Sequence, residues 1–151
     1  NIVILHCYME DIMDEKSSAT LENILEALGT NLKDFFSEDE DEQIVFSKDD
    51  FFENIQDDYK ISYIIPNAQK NEMEPILIEL KKGKKSMEID PHDGEEFGYV
   101  IHGKITLMNG DEEYEVKKGE TFYLKGNLPH YIVNKHDTLA KVIWVSTPPI
   151  F

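Results

Sequence analysis

The sequence has no arginine, one cysteine and no long apolar run. Each absence excludes something. Arginine is the commonest reader of guanine edges, and cations near phosphates supply most DNA affinity. Only 15 lysines stand against 31 acids, leaving a net charge of −16. These 151 residues are therefore a poor DNA-binding surface on their own, and their field favours a cationic ligand. Cys7 has no second cysteine to pair with, which suits a reducing cytoplasm. No run is long enough to span a bilayer, so no membrane partner is expected. Asn1-Ile-Val-Ile-Leu lacks the basic start and the length of a signal peptide. The first residue is not Met, and the expectation is a processed or truncated chain.

What is present divides unevenly. Residues 1–60 hold 17 acids and 4 lysines, whereas residues 61–151 hold 14 and 11. Residues 20–28, "TLENILEAL", place Leu21, Ile24, Leu25 and Leu28 on one helical stripe. Ser18 or Thr20 can cap the start and Gly29 the end. A second short helix, "NLKDFF", would dock Leu32, Phe35 and Phe36 on the first. Helices this short need a further partner to bury their apolar faces. "SEDEDE", residues 37–42, repels itself and reads as an acidic linker.

Beyond it the texture changes to short apolar runs punctuated by turns. Runs at 60–65, 74–80, 96–102, 104–108, 113–116, 121–124, 130–134 and 140–146 read as strands. Asn109-Gly110 is a strong hairpin signal. Many short strands at close spacing imply a mainly β sandwich or small barrel. In "PHDGEEFGYVIHG" the two-residue period puts Glu96, Gly98, Val100 and His102 on one face, with Phe97, Tyr99 and Ile101 on the other. An acid on a buried strand face is costly unless something pairs with it.

The spacing of this region resembles the cupin family, a jelly-roll (double-stranded β-helix) barrel with two motifs. His92, three residues, Glu96, six residues and Gly103 follow the first. Gly119, His130 and Asn134 follow the second, with Lys125 and Asn127 where Pro and Gly are expected. Fifteen residues separate Gly103 from Gly119. One position departs: Asp90 stands where the family carries another histidine, next to Pro91, which restricts Asp90 to an extended shape. The resemblance implies a metal set of His92, Glu96, His130 and Asp90, suited to zinc, nickel, manganese or iron. Without a metal, Glu96 would anchor an ammonium, while His130 and Tyr123 would offer hydrogen bonds. Phe97, Tyr99 or Trp144 would supply an apolar wall, according to which face lines the barrel. Asn134 would hold a turn.

The front of the chain carries a second resemblance. "SSATLENILEALGTNLKDFF" is similar to the last two helices of a lambda-repressor-like (XRE) helix-turn-helix domain, with Ala19 where proline is usual. Together the two resemblances imply three parts. Residues 1–36 would be the end of a helix-turn-helix domain, 37–42 a linker, and 43–151 a cupin sensor. "HDGEEFGYVIHG" and "WVSTPPIF" are similar to bacterial regulators of this architecture, including polyamine-responsive repressors. The expected function is small-molecule effector sensing by a homodimeric cytoplasmic regulator, not enzymatic. DNA would be bound only through an intact N-terminal domain. The competing expectation is a metal-dependent cupin enzyme, a dioxygenase or isomerase.

Overall fold

Alternation decides the strands. "EPILIEL" turns Ile76, Ile78 and Leu80 inward and leaves Pro75, Leu77 and Glu79 half-buried, and this run is strand β3 (Glu74–Leu80). In the computed structural model, which describes residues 43–151 together with Leu21 and residues 23–25, all eight expected runs are strands. They are β2 (Tyr59–Tyr63), β3, β4 (Glu95–His102), β5 (Lys104–Asn109), β6 (Glu112–Lys117), β7 (Thr121–Lys125), β8 (His130–Val133) and β9 (Ala140–Thr147). β1 (Phe52–Ile55) was not expected. It exposes Ile55, so its own pattern carries no strand signal; pairing with β2 makes it an edge.

Two antiparallel sheets face each other. One has the order β1-β2-β3-β9-β4-β7, the other β6-β5-β8. Residues 83–89 extend the smaller sheet: Gly83 donates to Asn134, Ser86 to Ile132, and Ile89 exchanges two bonds with His130. Between the sheets lie Ile61, Ile76, Ile78, Leu80, Val100, Ile105, Ile132, Val142 and Trp144. Burying each such aliphatic side chain is worth about 1.5–3 kcal/mol. The architecture is the mainly β jelly-roll.

Local turns set two details that matter for the site. The β5–β6 hairpin centres on Gly110 and Asp111, with Gly110 at φ +60, where only glycine is unstrained. Asn109 is thus the last residue of β5, opposite His130 of β8, rather than part of the turn's centre. On β4, Glu96, Gly98 and Val100 point inward as expected, but a bulge between Val100 and His102 leaves His102 exposed.

Leu21 and residues 23–25 are helical, with Leu21 and Leu25 buried and Ile24 exposed, so Ile24 leaves the expected stripe. The rest of the expected helix-turn-helix remnant (1–36), and the acidic linker (37–42), lie outside the described residues. Among the described residues no helix is long and apolar enough to cross a membrane.

Candidate functional site

Glu96 answers the question its position raises. Its side chain is fully buried on β4, and two imidazoles converge on one carboxylate oxygen. His92, in the loop before β4, lies with Nε2 2.8 Å from Glu96 Oε1 and donates to it. His130, at the start of β8, brings Nε2 within 2.6 Å of the same oxygen, an ion-pair distance, though off the line of a well-aligned hydrogen bond. Glu96 Oε2 and His92 Nδ1 are buried without partners. The ligating atoms of the three residues lie within 4.8 Å of one another.

The proton arrangement follows from one contact. His130 Nδ1 lies 2.8 Å from the Leu128 carbonyl oxygen, which can only accept, so Nδ1 carries a proton. A neutral ring then holds an unprotonated Nε2 2.6 Å from a carboxylate oxygen. That is repulsive unless Nε2 gains a proton or a cation sits between them. Burial pulls the His130 pKa down, but the Glu96 carboxylate and the Leu128 carbonyl outweigh it and hold it above the ordinary value. A histidine donating one nitrogen to a backbone carbonyl while the other faces a carboxylate has the form of a metal ligand. Two imidazoles and a carboxylate, with lone pairs left unpaired, fit a borderline divalent ion.

The surroundings are tightly fitted. Trp144 on β9 is fully buried, its ring centroid 6.1 Å from that of His130, with Nε1 unpartnered. Gly126 is buried behind His92; a Cβ there would lie 2.4 Å from the His92 ring. The His92 amide donates to the Gly126 carbonyl at 2.6 Å, and the Gly126 amide to Gly94 at 3.0 Å. Beside the cluster, a cavity of about 700 Å³ opens between β6 and β7, and Leu107, Asn109, Val116, Phe122, Tyr123 and Leu124 are among the residues that line it. That volume suits a small organic ligand. The three clustered residues do not line it; Leu124 is paired with Glu96 and Asn109 with His130, so it adjoins them through those strand neighbours.

The structure thus brings together His92, Glu96, His130 and Trp144. It does not bring in the other two expected residues. Asp90 is exposed and outside the cluster, in keeping with the extended backbone that Pro91 imposes. Tyr123 is 62% exposed on the outer face of β7, because Phe122 and Leu124 take the inward positions. Its hydroxyl bonds to Glu95, which holds the phenol above its ordinary pKa. Phe97 and Tyr99 also face outward, leaving Trp144 as the aromatic wall. Asn134 holds the turn before β9, donating to Leu80 and Thr138 carbonyls and accepting from the His136 amide. Sequence reasoning missed Asn109, whose Oδ1 is buried and unpartnered near His130. It also missed Gly126, which read as part of an ordinary turn.

Comparison with known proteins agrees with this fold. The family described as "Cupin domain" matches residues 76–146, and this part of the chain is a cupin domain. Over 155 aligned residues the chain is 27% identical to the HTH-type transcriptional regulator PuuR of Escherichia coli (strain K12), covering 98% of this chain and 83% of that protein. Among solved structures, the cupin domain of an XRE family transcriptional regulator from Enterobacter cloacae superposes with a TM-score of 0.55 at 19% identity, over 61% of this chain and 98% of that one. A protein described as a predicted oxalate decarboxylase from Thermotoga maritima superposes at 0.60 with 14% identity, over 69% and 98%. At these identities the two structures show the shared fold. One is described as a regulator's domain and the other as a predicted enzyme, so the shared fold does not choose between those roles.

Proposed function

We propose that this chain is the effector-sensing part of a helix-turn-helix transcription regulator, with its ligand seated against His92, Glu96 and His130. One observation carries the reading: a fully buried carboxylate with an unpartnered oxygen, faced by a histidine whose Nδ1 proton is committed to the Leu128 carbonyl. Such a group is satisfied by a positively charged ligand. A zinc, nickel, manganese or iron ion would be held by the three side chains, leaving an open coordination position for an effector. A small cationic metabolite would place its ammonium in the same spot and its apolar part in the cavity between β6 and β7.

The similarity to PuuR over nearly the whole chain supports a regulator rather than an enzyme. Among the described residues, the metal-ligating group comprises His92, Glu96 and His130, a donor set open to a sensor and to an enzyme alike, and exposed Asp90 stands outside it. In this reading residues 1–36 close a DNA-binding domain, 37–42 link it to the cupin, and DNA is bound through the intact domain in the cytoplasm. A homodimer belongs to the reading too. Phe97 and Tyr123 stand directly opposite each other on the outer sheet face, 41% and 62% exposed, beside exposed Tyr99, and support a second copy there. Ligand binding would then alter the placement of two DNA-binding heads.

A thermal-shift screen with zinc, nickel, manganese and small amines tests this. A ligand present at a hundred times its Kd stabilises the parent by about 2.7 kcal/mol. Glu96→Gln should lose that gain for every ligand that stabilises the parent, while keeping the β-rich circular dichroism. Equal gains in both proteins would place the binding elsewhere.

A further inference from the structure

Both histidines of the site are backed by the same stretch of chain, Ser146–Phe151. Behind His130 stands Trp144, and behind Trp144 stands Phe151, edge-on with ring centroids 5.5 Å apart. Behind His92 stands Gly94. A Cβ on Gly94 would lie 3.2 Å from His92 Nδ1 on one side, and 2.5 Å from the Thr147 carbonyl and 2.9 Å from Pro148 Cδ on the other. No side chain fits between this segment and the histidine loop, so a shift of the segment is felt at His92. Packed side chains transmit such shifts because interiors have little free volume.

One buried residue fastens the segment. Glu74, at the start of β3, is 1% exposed. Its Oε2 accepts from the backbone amides of Ile150 and Phe151 at 2.9 and 2.8 Å, and its Oε1 accepts from Gln69 Nε2 at 3.0 Å. Two further bonds hold the segment's start: Ser146 Oγ donates to the Pro148 carbonyl and Thr147 Oγ1 to the Glu72 carbonyl. A carboxylate buried in a core is costly, and this one contacts neither His92, Glu96 nor His130. Two of its three bonds go to the segment, and the third, from Gln69, holds the carboxylate itself.

We propose that Ser146–Phe151 is a clasp, closed by Glu74, that positions His92 and His130 from behind. Glu74 and Phe151 are positioning residues for the site. The proposal rests on the reading of His92, Glu96 and His130 as the binding group. Opening the clasp frees Trp144 and Gly94, and with them the two imidazoles, and binding a ligand between the imidazoles tightens the clasp by the same coupling.

The test is amide hydrogen exchange on the full chain, paired with zinc titration. Glu74→Leu keeps the buried volume and removes both acceptors. It should speed exchange at Ile150 and Phe151 and also at His92 and Gly126 by about tenfold, with Leu107 in β5 unchanged. Zinc affinity should fall about tenfold. Glu74→Gln keeps a carbonyl oxygen for the two amides and should move both readouts back towards the parent. Phe151→Leu, which leaves Glu74 intact, should weaken zinc binding in the same direction, and it decides the matter if Glu74→Leu does not fold. Faster exchange confined to Ile150 and Phe151, with His92 and Gly126 exchanging as in the parent, would overturn the clasp. If the parent binds no zinc, the metal reading of the site fails, and the exchange rates at His92 and Gly126 still decide the clasp.

Discussion

Adding one methyl group behind His92 should disable the site while hardly touching the fold. The substitution is Gly126→Ala. A Cβ at residue 126 would meet the His92 ring at 2.4 Å from Cε1, 2.5 Å from Nε2 and 2.7 Å from Nδ1, against an ordinary contact of 3.4–4 Å. The ring must therefore retreat by about 1 Å or turn aside. Nε2 is one of the crowded atoms, so its 2.8 Å bond to Glu96 does not survive the move. Misplacing a group this close to a metal costs roughly 10–100-fold in affinity, or about 1.4–2.7 kcal/mol. The fold loses one hydrogen bond, about 1 kcal/mol. It regains about 0.4–1 kcal/mol because alanine has fewer unfolded conformations than glycine. Gly126 does not have a left-handed φ, so alanine adds no backbone strain. Isothermal titration with zinc should show the affinity loss, and urea unfolding a change below about 1 kcal/mol. Parental zinc affinity in the variant would refute the reasoning, since it would mean that the close approach does not fix the ring.

Two further outcomes follow from other residues. Burial raises the Glu74 pKa, against the lowering effect of the Phe151 and Ile150 amides. A folded pKa above the unfolded value stabilises most below the unfolded pKa, and that contribution is lost as pH rises through the folded pKa. Glu74→Gln cannot ionise, so urea midpoints measured from pH 4 to pH 8 should fall less steeply with rising pH than in the parent; parallel curves would contradict this. Tyr123→Ala removes a side chain on the outer face and should leave zinc affinity within about twofold of the parent; a larger loss would place Tyr123 in the site after all.

Much of the site was legible because its spacing is a property of the chain. His92 and Glu96 flank the start of one strand and His130 opens another, and strand alternation already put Glu96 on a face where an unpaired acid would be costly. The eight runs could be read as strands because each carries its own alternating pattern. β1 could not, since its outward Ile55 inverts the pattern and its pairing with β2 alone makes it a strand.

Faces were harder to assign. In "TFYLK" either Phe122 and Leu124 or Tyr123 can point inward by alternation, and only the packing of the core, with Trp144 of the same sheet edge-on against Phe122, chooses the first. Asn109 read as a turn residue until the hairpin centred one position later and placed it opposite His130. Nothing local marked Glu74 and Phe151, whose partners lie more than 70 residues away.

The sequence by itself determined which residues could form strands and that an acid and two histidines recur at a motif's spacing. The tertiary structure alone decided that Asp90 and Tyr123 stand outside the group, and that Gly126, Gly94 and Trp144 brace it. The physical reason is that periodicity fixes relations within a strand, whereas contact between strands depends on register, bulges and which face another sheet covers.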